Sequence, residues 1–301
     1  MSEPVTLRAG NLCAVVDPMG AQLCSLQLEG REYLWQGDPV FWARRAPVLF
    51  PIVGSLRNGQ AESAAGPCTM GRHGVARNYV HAVVDRAADG SAVTFELCDN
   101  AETFAAYPYH FKLNMTYAIT GTATLSQTFR VTNTGDVPLP FCVGGHPAFN
   151  VPLPATSQST ASETFNDYVL KFSKPWTCTV PVIGEDGLMS WDNAFTCPQN
   201  CDTVALTHKT FAHDALMFTD VPDRTLTLLD TKSGHGVRVD FPGFDYIGVW
   251  SAAHDAPFVA LEPWTGHTTE RDADDVFEHK PGMMLLAPGE TSMRAFSIAP
   301  F

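Results

Sequence analysis

The chain has 301 residues, of which 45% are hydrophobic and 17% charged, a composition typical of a globular protein with a substantial core. Its net charge of −13 argues against nucleic acid or an anionic membrane as a partner, because both require a basic surface. The N-terminus lacks the basic and apolar segments of a secretory signal, and no apolar run is long enough to span a bilayer. We therefore expect a cytoplasmic protein.

Eight cysteines are scattered along a chain too large to need disulfides for its stability, so we expect reduced thiols. Cys197 and Cys201 are the closest pair. Three residues separate them, a spacing that matches neither a CxxC redox motif nor half of a recognisable zinc site. The sequence therefore predicts no metal site.

Pairs of segments with alternating apolar and polar residues predict β-hairpins. Each pair flanks a short turn: 82–84 and 93–97 around Asp89-Gly90, 111–119 and 125–131 around 120–122, and 225–229 and 237–241 around 233–236. With 23 glycines and 22 prolines between short strands, and no amphipathic helix, the chain is predicted to be all-β.

We predict one large antiparallel β-sandwich, formed as a single domain over residues 1–301, because no composition shift marks a linker. Short helical turns are expected near 101–106 and 272–279. Segments 152–162 and 178–201 are predicted to be loops that leave the sandwich.

The segment 258–266, FVALEPWTG, predicts a buried strand that leaves the core at Glu262. Apolar surroundings raise a carboxyl pKa from about 4.3 toward neutrality, which suits a general base. A salt-bridged or solvated glutamate at the end of a strand is the alternative interpretation of this segment alone.

Two histidines stand in glycine-rich contexts. His146 lies in GGHPAFN. The glycines allow close approach of a ligand, and Pro147 restrains the backbone directly after His146. Its ordinary pKa of about 6.5 suits an acid or a base at neutral pH. A histidine satisfied by the backbone in a turn is the alternative. His73 lies in GRHGVAR, between two arginines.

Five arginines lie in a segment of this acidic protein whose only acid is Glu62: Arg44, Arg45, Arg57, Arg72 and Arg77. Guanidinium groups bind carboxylate and phosphate oxygens, so a functional cluster indicates a polyol or a sugar phosphate. A solvated surface patch is the alternative.

The motifs GxGxxG, Walker A, HExxH and GxSxG are absent, so dinucleotide, P-loop, zincin and hydrolase signatures are missing. We expect chemistry carried out by side chains, with no cofactor.

Several motifs in order along the chain resemble the aldose 1-epimerase (galactose mutarotase) family, and most closely its LacX-like branch. They are PVLFPIVG at 47–54, GRHGVAR at 71–77, ETF through YPYHF at 102–111, GHPAFN at 145–150, HDAL at 213–216 and LEPW at 261–264. The resemblance covers nearly the whole chain, and the order and spacing of the motifs together make it specific.

This resemblance implies a β-sandwich whose concave face binds a sugar. It also implies an enzyme that interconverts the α and β anomers of an aldose without a cofactor. It implies that Glu262 is the general base at the anomeric hydroxyl and that His146 is the general acid at the ring oxygen. It places His73, Arg57 and Asp214 at sugar-binding positions, although the sequences around Arg57 and Asp214 depart from the better-known galactose mutarotase motifs.

Arg72, Arg77 and Trp264 are further candidates for substrate binding, the arginines through sugar or phosphate oxygens and Trp264 through the apolar face of a sugar. The run at 72–77 also resembles the hexose-6-phosphate 1-epimerase branch. A free hexose and a sugar phosphate therefore both stay open as substrates.

Two further function classes stay open: a non-catalytic sugar-binding protein, and a lyase or glycosidase on the same fold. Glycoside hydrolysis needs two carboxylates about 5 to 10 Å apart, and only Glu262 has the context of a site. The sequence does not define the oligomeric state.

Overall fold

The computed structural model describes residues 3–155 and 163–301. Its strands, in chain order, are β1 (Val5–Ala9), β2 (Leu12–Asp17), β3 (Gln22–Leu28), β4 (Arg31–Glu32), β5 (Val48–Leu49), β6 (Gln60–Ala61), β7 (Cys68–Thr69), β8 (Ala82–Arg86), β9 (Ala92–Cys98), β10 (Phe111–Thr120), β11 (Thr124–Asn133), β12 (Leu139–Phe141), β13 (Gly144–Gly145), β14 (Ala148–Asn150), β15 (Tyr168–Trp176), β16 (Thr179–Ile183), β17 (Met189–Thr196), β18 (Cys201–Ala205), β19 (Leu216–Thr219), β20 (Thr225–Asp230), β21 (Gly236–Asp240), β22 (Tyr246–Trp250), β23 (Phe258–Trp264), β24 (Met284–Leu286) and β25 (Thr291–Pro300).

The α-helix α1 (Ala101–Ala106) begins after Asn100, whose side chain accepts hydrogen bonds from the backbone N–H groups of Glu102 and Thr103. Short 3₁₀ turns lie at Arg57–Gly59, Ala76–Asn78, Phe165–Asp167, His208–Phe211, Pro222–Arg224 and Phe277–His279. No helix in the described ranges is long and apolar enough to cross a bilayer.

Two large sheets organise the molecule. The first has nine strands in the order β18-β15-β20-β21-β25-β11-β10-β9-β8, and the second runs β19-β22-β23-β13-β5, with β14 also paired to β23. A four-stranded sheet, β1 to β4, and three two-stranded ribbons complete the described strands. All pairs between these strands are antiparallel, which confirms the predicted all-β sandwich.

The three predicted hairpins are confirmed as β8–β9, β10–β11 and β20–β21. The helical turn at 101–106 is also confirmed, as α1. In the second predicted helical region, 272–279, the structure has only the 3₁₀ turn Phe277–His279.

The main apolar core joins the nine-stranded sheet to one face of the second sheet. Val259 and Leu261 of β23 belong to the same buried cluster as Phe296 of β25. The layers meet closely at Gly145, where an added Cβ would lie 2.5 Å from the Phe296 ring. The second sheet therefore has one face in the core, and its other face is available for a site.

The loop prediction for 178–201 is wrong, because this segment contains the hairpin β16–β17. Its pairing shifts register between Val180 and Val182, where Pro181 interrupts the ladder, so the alternation is too irregular to recognise in the sequence. Of the other predicted loop, 152–162, residues 156–162 lie outside the described residues.

Candidate active site

A cavity of about 210 Å³ lies on the face of the second sheet that points away from the main core. It is smaller than the roughly 300–1,000 Å³ of sites that bind drug-sized ligands, so it suits a molecule with one small ring. Its lining includes three tryptophans, three histidines, two arginines and two carboxylates: Trp42, Trp250, Trp264, His73, His146, His267, Arg72, Arg77, Asp214 and Glu262.

Strand β23 places Glu262 and Trp264 in this cavity. Side chains alternate along a strand, so Val259 and Leu261 enter the core while Glu262 and Trp264 face the opposite way. The strand extends to Trp264, and Glu262 is only 1% exposed. The prediction that the strand leaves the core at Glu262 is therefore wrong.

The strand continues through Pro263 because its neighbour is interrupted there. Leu261 donates its N–H to Pro147, and Thr265 donates to Val143, so an N–H at position 263 would point between β13 and β14. Proline has no N–H to leave unsatisfied at that point.

His146 occupies this interruption. Gly144 pairs with Trp264, and Ala148 pairs with Ala260, so His146 falls opposite Glu262 in the same register. The His146 Nε2 and Glu262 Oε2 atoms are 3.3 Å apart, and both side chains are buried. The structure thus brings together the two residues predicted as acid and base.

Aromatic rings hold the His146 imidazole. Trp42 stacks on it at 4.8 Å between centroids, with 26° between the planes. Trp250 and His73 meet it edge-on at 5.6 and 5.5 Å. Its Nδ1 has no hydrogen-bond partner in the described ranges, so packing rather than hydrogen bonding orients the ring.

Burial makes both members of the pair neutral. It raises the pKa of Glu262 well above its ordinary value; Asp214 adds to this rise, while Trp264 and Arg72 oppose it. Burial lowers the pKa of His146 to about 3, and Arg77 and Arg72 contribute to this depression. Both shifts favour the neutral side chains, with the proton of the pair on Glu262.

His73 faces the cavity with a defined tautomer. Its Nδ1 accepts the backbone N–H of Gly54 at 3.1 Å, so the proton of the neutral ring is on Nε2. Burial, together with His146 and Arg77, lowers the pKa of His73 well below its ordinary value. The imidazole is thus a neutral hydrogen-bond donor.

Asp214 and Arg72 form an ion pair on the cavity wall, with Arg72 Nη1 at 3.2 Å from Asp214 Oδ2. Arg72 Nε also donates to Ser55 Oγ at 3.3 Å. Arg77 donates to the Arg72 carbonyl at 2.5 Å, and its Nε is buried without a partner among the described residues.

A family model described as Aldose 1-epimerase matches residues 3–297. The chain belongs to the aldose 1-epimerase family. It is 36% identical over 288 residues to the plasmid-encoded protein LacX of Lactococcus lactis subsp. lactis, with 93% of each chain covered. These findings confirm the predicted family and its LacX-like branch, and they support a sugar epimerase activity.

Two solved structures share this fold over nearly their whole length. The galactose mutarotase related enzyme from Lactobacillus acidophilus is 31% identical, with a TM-score of 0.90 and coverage of 99% of this chain and 97% of that one. A galactose mutarotase-like protein from Lactobacillus casei is 29% identical, with a TM-score of 0.86 and coverage of 99% and 100%.

Arg57, which the family resemblance placed at a sugar-binding position, does not line the cavity in this family member. Its Nε lies 2.7 Å from Asp275 Oδ2, and its Nη2 donates to the carbonyls of Glu270 and Arg271. The guanidinium therefore organises the loop at 270–275.

Sequence reasoning missed several cavity residues. Trp42 and Trp250 lie outside any recognisable motif, and His267 follows the LEPW motif by three residues. Ile183, Gly187 and Met189 come from the hairpin predicted to be a loop. Thr268 holds the tip of that hairpin by donating to the Gly187 carbonyl at 2.5 Å. The described residues contain no cluster of three or more His, Cys, Asp or Glu suited to a metal ion.

Proposed function

We propose that this protein is a sugar 1-epimerase, an isomerase that interconverts the α and β anomers of an aldose without a cofactor. One observation carries the proposal: the 3.3 Å contact between His146 Nε2 and Glu262 Oε2 inside a buried cavity with room for one sugar ring. Membership of the aldose 1-epimerase family supports it.

In this mechanism the anomeric hydroxyl of the bound aldose lies at Glu262 and the ring oxygen lies at His146. The carboxylate of Glu262 takes the hydroxyl proton, C1 becomes a carbonyl, the bond from C1 to the ring oxygen breaks, and His146 Nε2 protonates that oxygen. Rotation about the C1–C2 bond exposes the other face of the carbonyl. Ring closure reverses both proton transfers and returns the pair to its starting state.

The proton of the pair must be on His146 before the ring opens. Without a bound sugar, burial favours the proton on Glu262. Sugar hydroxyls that donate to Glu262, together with the nearby Arg72 guanidinium, favour the carboxylate, and the proton then crosses the 3.3 Å contact to His146. The number of protons on the pair is constant throughout the cycle.

Anomer exchange followed by NMR or polarimetry on freshly dissolved α-glucose and α-galactose tests this proposal. Glu262→Gln keeps the size of the side chain and cannot accept the proton, so we expect a loss of about 10²- to 10⁴-fold in kcat. Equal rates for wild type and variant would contradict the roles proposed for the pair. Sugar binding without turnover by the wild type would indicate a non-catalytic sugar-binding protein.

A hexose 6-phosphate is a second candidate substrate, favoured by the charges beside the cavity. Arg44 donates to the Arg77 carbonyl and to Asn78, and Arg77 donates to the Arg72 carbonyl. Among the described residues neither Arg44 nor Arg77 has a carboxylate partner within 4.0 Å, although the whole chain carries a charge of −13. A bound phosphate would neutralise these guanidinium groups.

Parallel assays on glucose and glucose 6-phosphate test this substrate. Arg77→Gln is expected to raise KM for the phosphate about tenfold or more, with little change for glucose, because the loss of a charged hydrogen bond costs about 1.5–3 kcal/mol. Arg57→Lys, a substitution at an arginine outside the cavity, serves as the control. Equal effects of Arg77→Gln on both sugars would contradict the phosphate assignment.

We also propose that residues 1–301 form one domain, supported by the family match over 3–297. A cytoplasmic location stays a prediction.

A further inference from the structure

His267 is a third cavity histidine, and neither step of the proposed mechanism uses it. It lies in the turn after β23, three residues beyond Trp264, and is only 3% exposed. The Tyr246 ring meets its imidazole edge-on at 5.0 Å between centroids. The side chain is therefore rigidly placed at the cavity wall.

The hydrogen bonds of His267 define its tautomer. Its Nδ1 lies 2.8 Å from the carbonyl oxygen of Thr268, and a nitrogen that faces a carbonyl must carry the proton. Nε2 of the neutral ring is therefore a lone-pair acceptor.

Among the described residues, no donor lies within hydrogen-bond distance of this nitrogen. Glu270 Oε1 lies 3.8 Å from Nε2, which is beyond hydrogen-bond distance, and a carboxylate oxygen is itself an acceptor. That oxygen already accepts the indole N–H of Trp191 at 3.2 Å. Two acceptors thus lie 3.8 Å apart, and a hydroxyl donor beside them would satisfy the free lone pair of Nε2.

A buried ammonium keeps the ring in this form. Lys280, only 6% exposed, donates a hydrogen bond to the His267 carbonyl. Burial and this neighbouring charge lower the pKa of His267 to about 4, so Nε2 stays unprotonated at neutral pH.

The strand sets the position of His267 relative to the reacting atoms. Trp264 lies two residues beyond Glu262, which is roughly 7 Å along a strand, and His267 follows in the turn. Trp250, which pairs with Ala260, lies on the opposite side of Glu262 along the strand. Glu262, Trp264 and His267 line the same cavity, so a sugar with its anomeric carbon at Glu262 can direct a hydroxyl remote from that carbon toward His267.

We propose that Nε2 of His267 accepts a hydrogen bond from a sugar hydroxyl remote from the anomeric carbon, so that His267 determines which aldoses bind. This inference rests on the proposed function, because it requires a sugar in the cavity. His267 is a specificity residue in this account and takes no part in the proton transfers.

Two substitutions separate the two nitrogens of the ring. In His267→Asn the amide nitrogen takes the place of Nδ1 and keeps the donor to the Thr268 carbonyl, but no atom replaces Nε2. In His267→Gln the amide reaches the Nε2 position, and its oxygen supplies an acceptor there, while the Nδ1 donor is lost. A purely structural role would make Gln the more damaging change, and the proposed role makes Asn the more damaging one.

We expect His267→Asn to raise KM about tenfold for the aldose that the wild type prefers, with kcat within about twofold of wild type, because one hydrogen bond to the substrate is lost. His267→Gln should recover part of the affinity. An unchanged KM in His267→Asn would overturn the proposal, and so would a larger loss in the Gln variant.

A series of deoxy sugars identifies the hydroxyl. Removing the hydroxyl that His267 binds should weaken sugar binding by the wild type and leave binding by His267→Asn unchanged. The two proteins should then have equal KM for that one deoxy sugar. The same ratio of KM values for every deoxy sugar would overturn the proposal.

Binding measured by tryptophan fluorescence separates this inference from the proposed function, since Trp42, Trp250 and Trp264 line the cavity. If the wild type binds a sugar without epimerising it, the proposed function fails and the same comparisons of Kd decide the role of His267. If the wild type binds no sugar at all, both proposals are overturned.

Discussion

His146 lies opposite Glu262 across the interruption between β13 and β14. The flanking pairs, Gly144 with Trp264 and Ala148 with Ala260, are both two residues away, so the register of the sheet sets the distance between the acid and the base. Cross-strand partners have Cβ atoms about 4.5–5.5 Å apart, which is close enough for the observed 3.3 Å contact. A buried sheet holds this geometry more rigidly than a loop would.

The first prediction concerns the pH dependence of kcat/KM. Below a pH of about 3, His146 takes up a second proton and the pair has no base; above the raised pKa of Glu262, the pair loses its only proton and has no acid. Between these limits the pair holds one proton. We therefore expect no loss of kcat/KM as the pH falls through about 6.5, the ordinary histidine pKa.

Anomer exchange rates, corrected for the spontaneous reaction at each pH, check this profile. A fall in kcat/KM as the pH is lowered through about 6.5 would contradict the neutral buried state of His146.

The second prediction concerns Gly248, which pairs with Glu262 from the neighbouring strand β22. An added Cβ would lie 2.3 Å from Cη2 and Cζ2 of Trp264, so the indole must move from its place in the cavity. We expect Gly248→Ala to lower the free energy of unfolding by about 1–3 kcal/mol and to reduce kcat/KM. Urea unfolding and anomer exchange measure the two effects.

Two controls separate this clash from the general cost of the substitution. Gly71→Ala adds a Cβ with no atom within 4 Å and should leave stability near wild type. Trp264→Phe removes the atoms that clash, so the double variant should lose less stability than the sum of the single ones. Strict additivity would show that Gly248 and Trp264 do not interact.

The sequence predicted the three hairpins and helix α1 because each has a local signal, either alternation around a turn or an N-terminal cap. Hairpin β16–β17 escaped prediction because Pro181 breaks its alternation. The true end of β23 was not predicted, because proline ordinarily indicates the end of a strand. The interrupted neighbour that allows Pro263 within the strand has no signal in the local sequence.

The candidate site was predicted where motifs exist and missed where only packing matters. His146 and Glu262 each stand in a recognisable motif, and the sheet register that joins them depends on residues 112 to 120 positions apart along the chain. Trp42 reaches the site by stacking on His146, a contact that no local pattern encodes. Arg57 shares the cluster of the other arginines in the sequence, yet it turns toward Asp275.

The third prediction concerns Arg57. Its guanidinium binds Asp275 and the carbonyls of Glu270, Arg271 and Ala273, so Arg57→Lys should loosen the loop at 270–275. Because the ion pair is partly exposed, we expect a loss of only about 1 kcal/mol in the free energy of unfolding. KM for the sugar should stay within about twofold of wild type.

Urea unfolding and anomer exchange on the same protein sample measure both quantities. A large rise in KM at unchanged stability would instead support the sugar-binding role that the family resemblance implied for Arg57.

The fourth prediction concerns His81, a histidine outside the cavity that is 1% exposed. Its Nε2 donates to the Ala76 carbonyl at 3.0 Å, and Nδ1 is buried without a partner among the described residues. Burial lowers the pKa of His81 to about 4. As the pH falls below about 6.5, the unfolded chain takes up a proton at this position and the folded chain does not, so the protein loses stability.

His81→Gln keeps an N–H near the Ala76 carbonyl and does not titrate. Its free energy of unfolding should therefore fall less than that of the wild type between pH 7 and pH 5, by about 2 kcal/mol, at about 1.4 kcal/mol per pH unit below about 6.5. The other buried histidines are present in both proteins, and their contributions cancel in the comparison. His213→Gln, at an exposed position, should keep the dependence of the wild type. Equal losses in wild type and His81→Gln would show that the His81 imidazole is protonated in the folded protein as readily as in the unfolded chain.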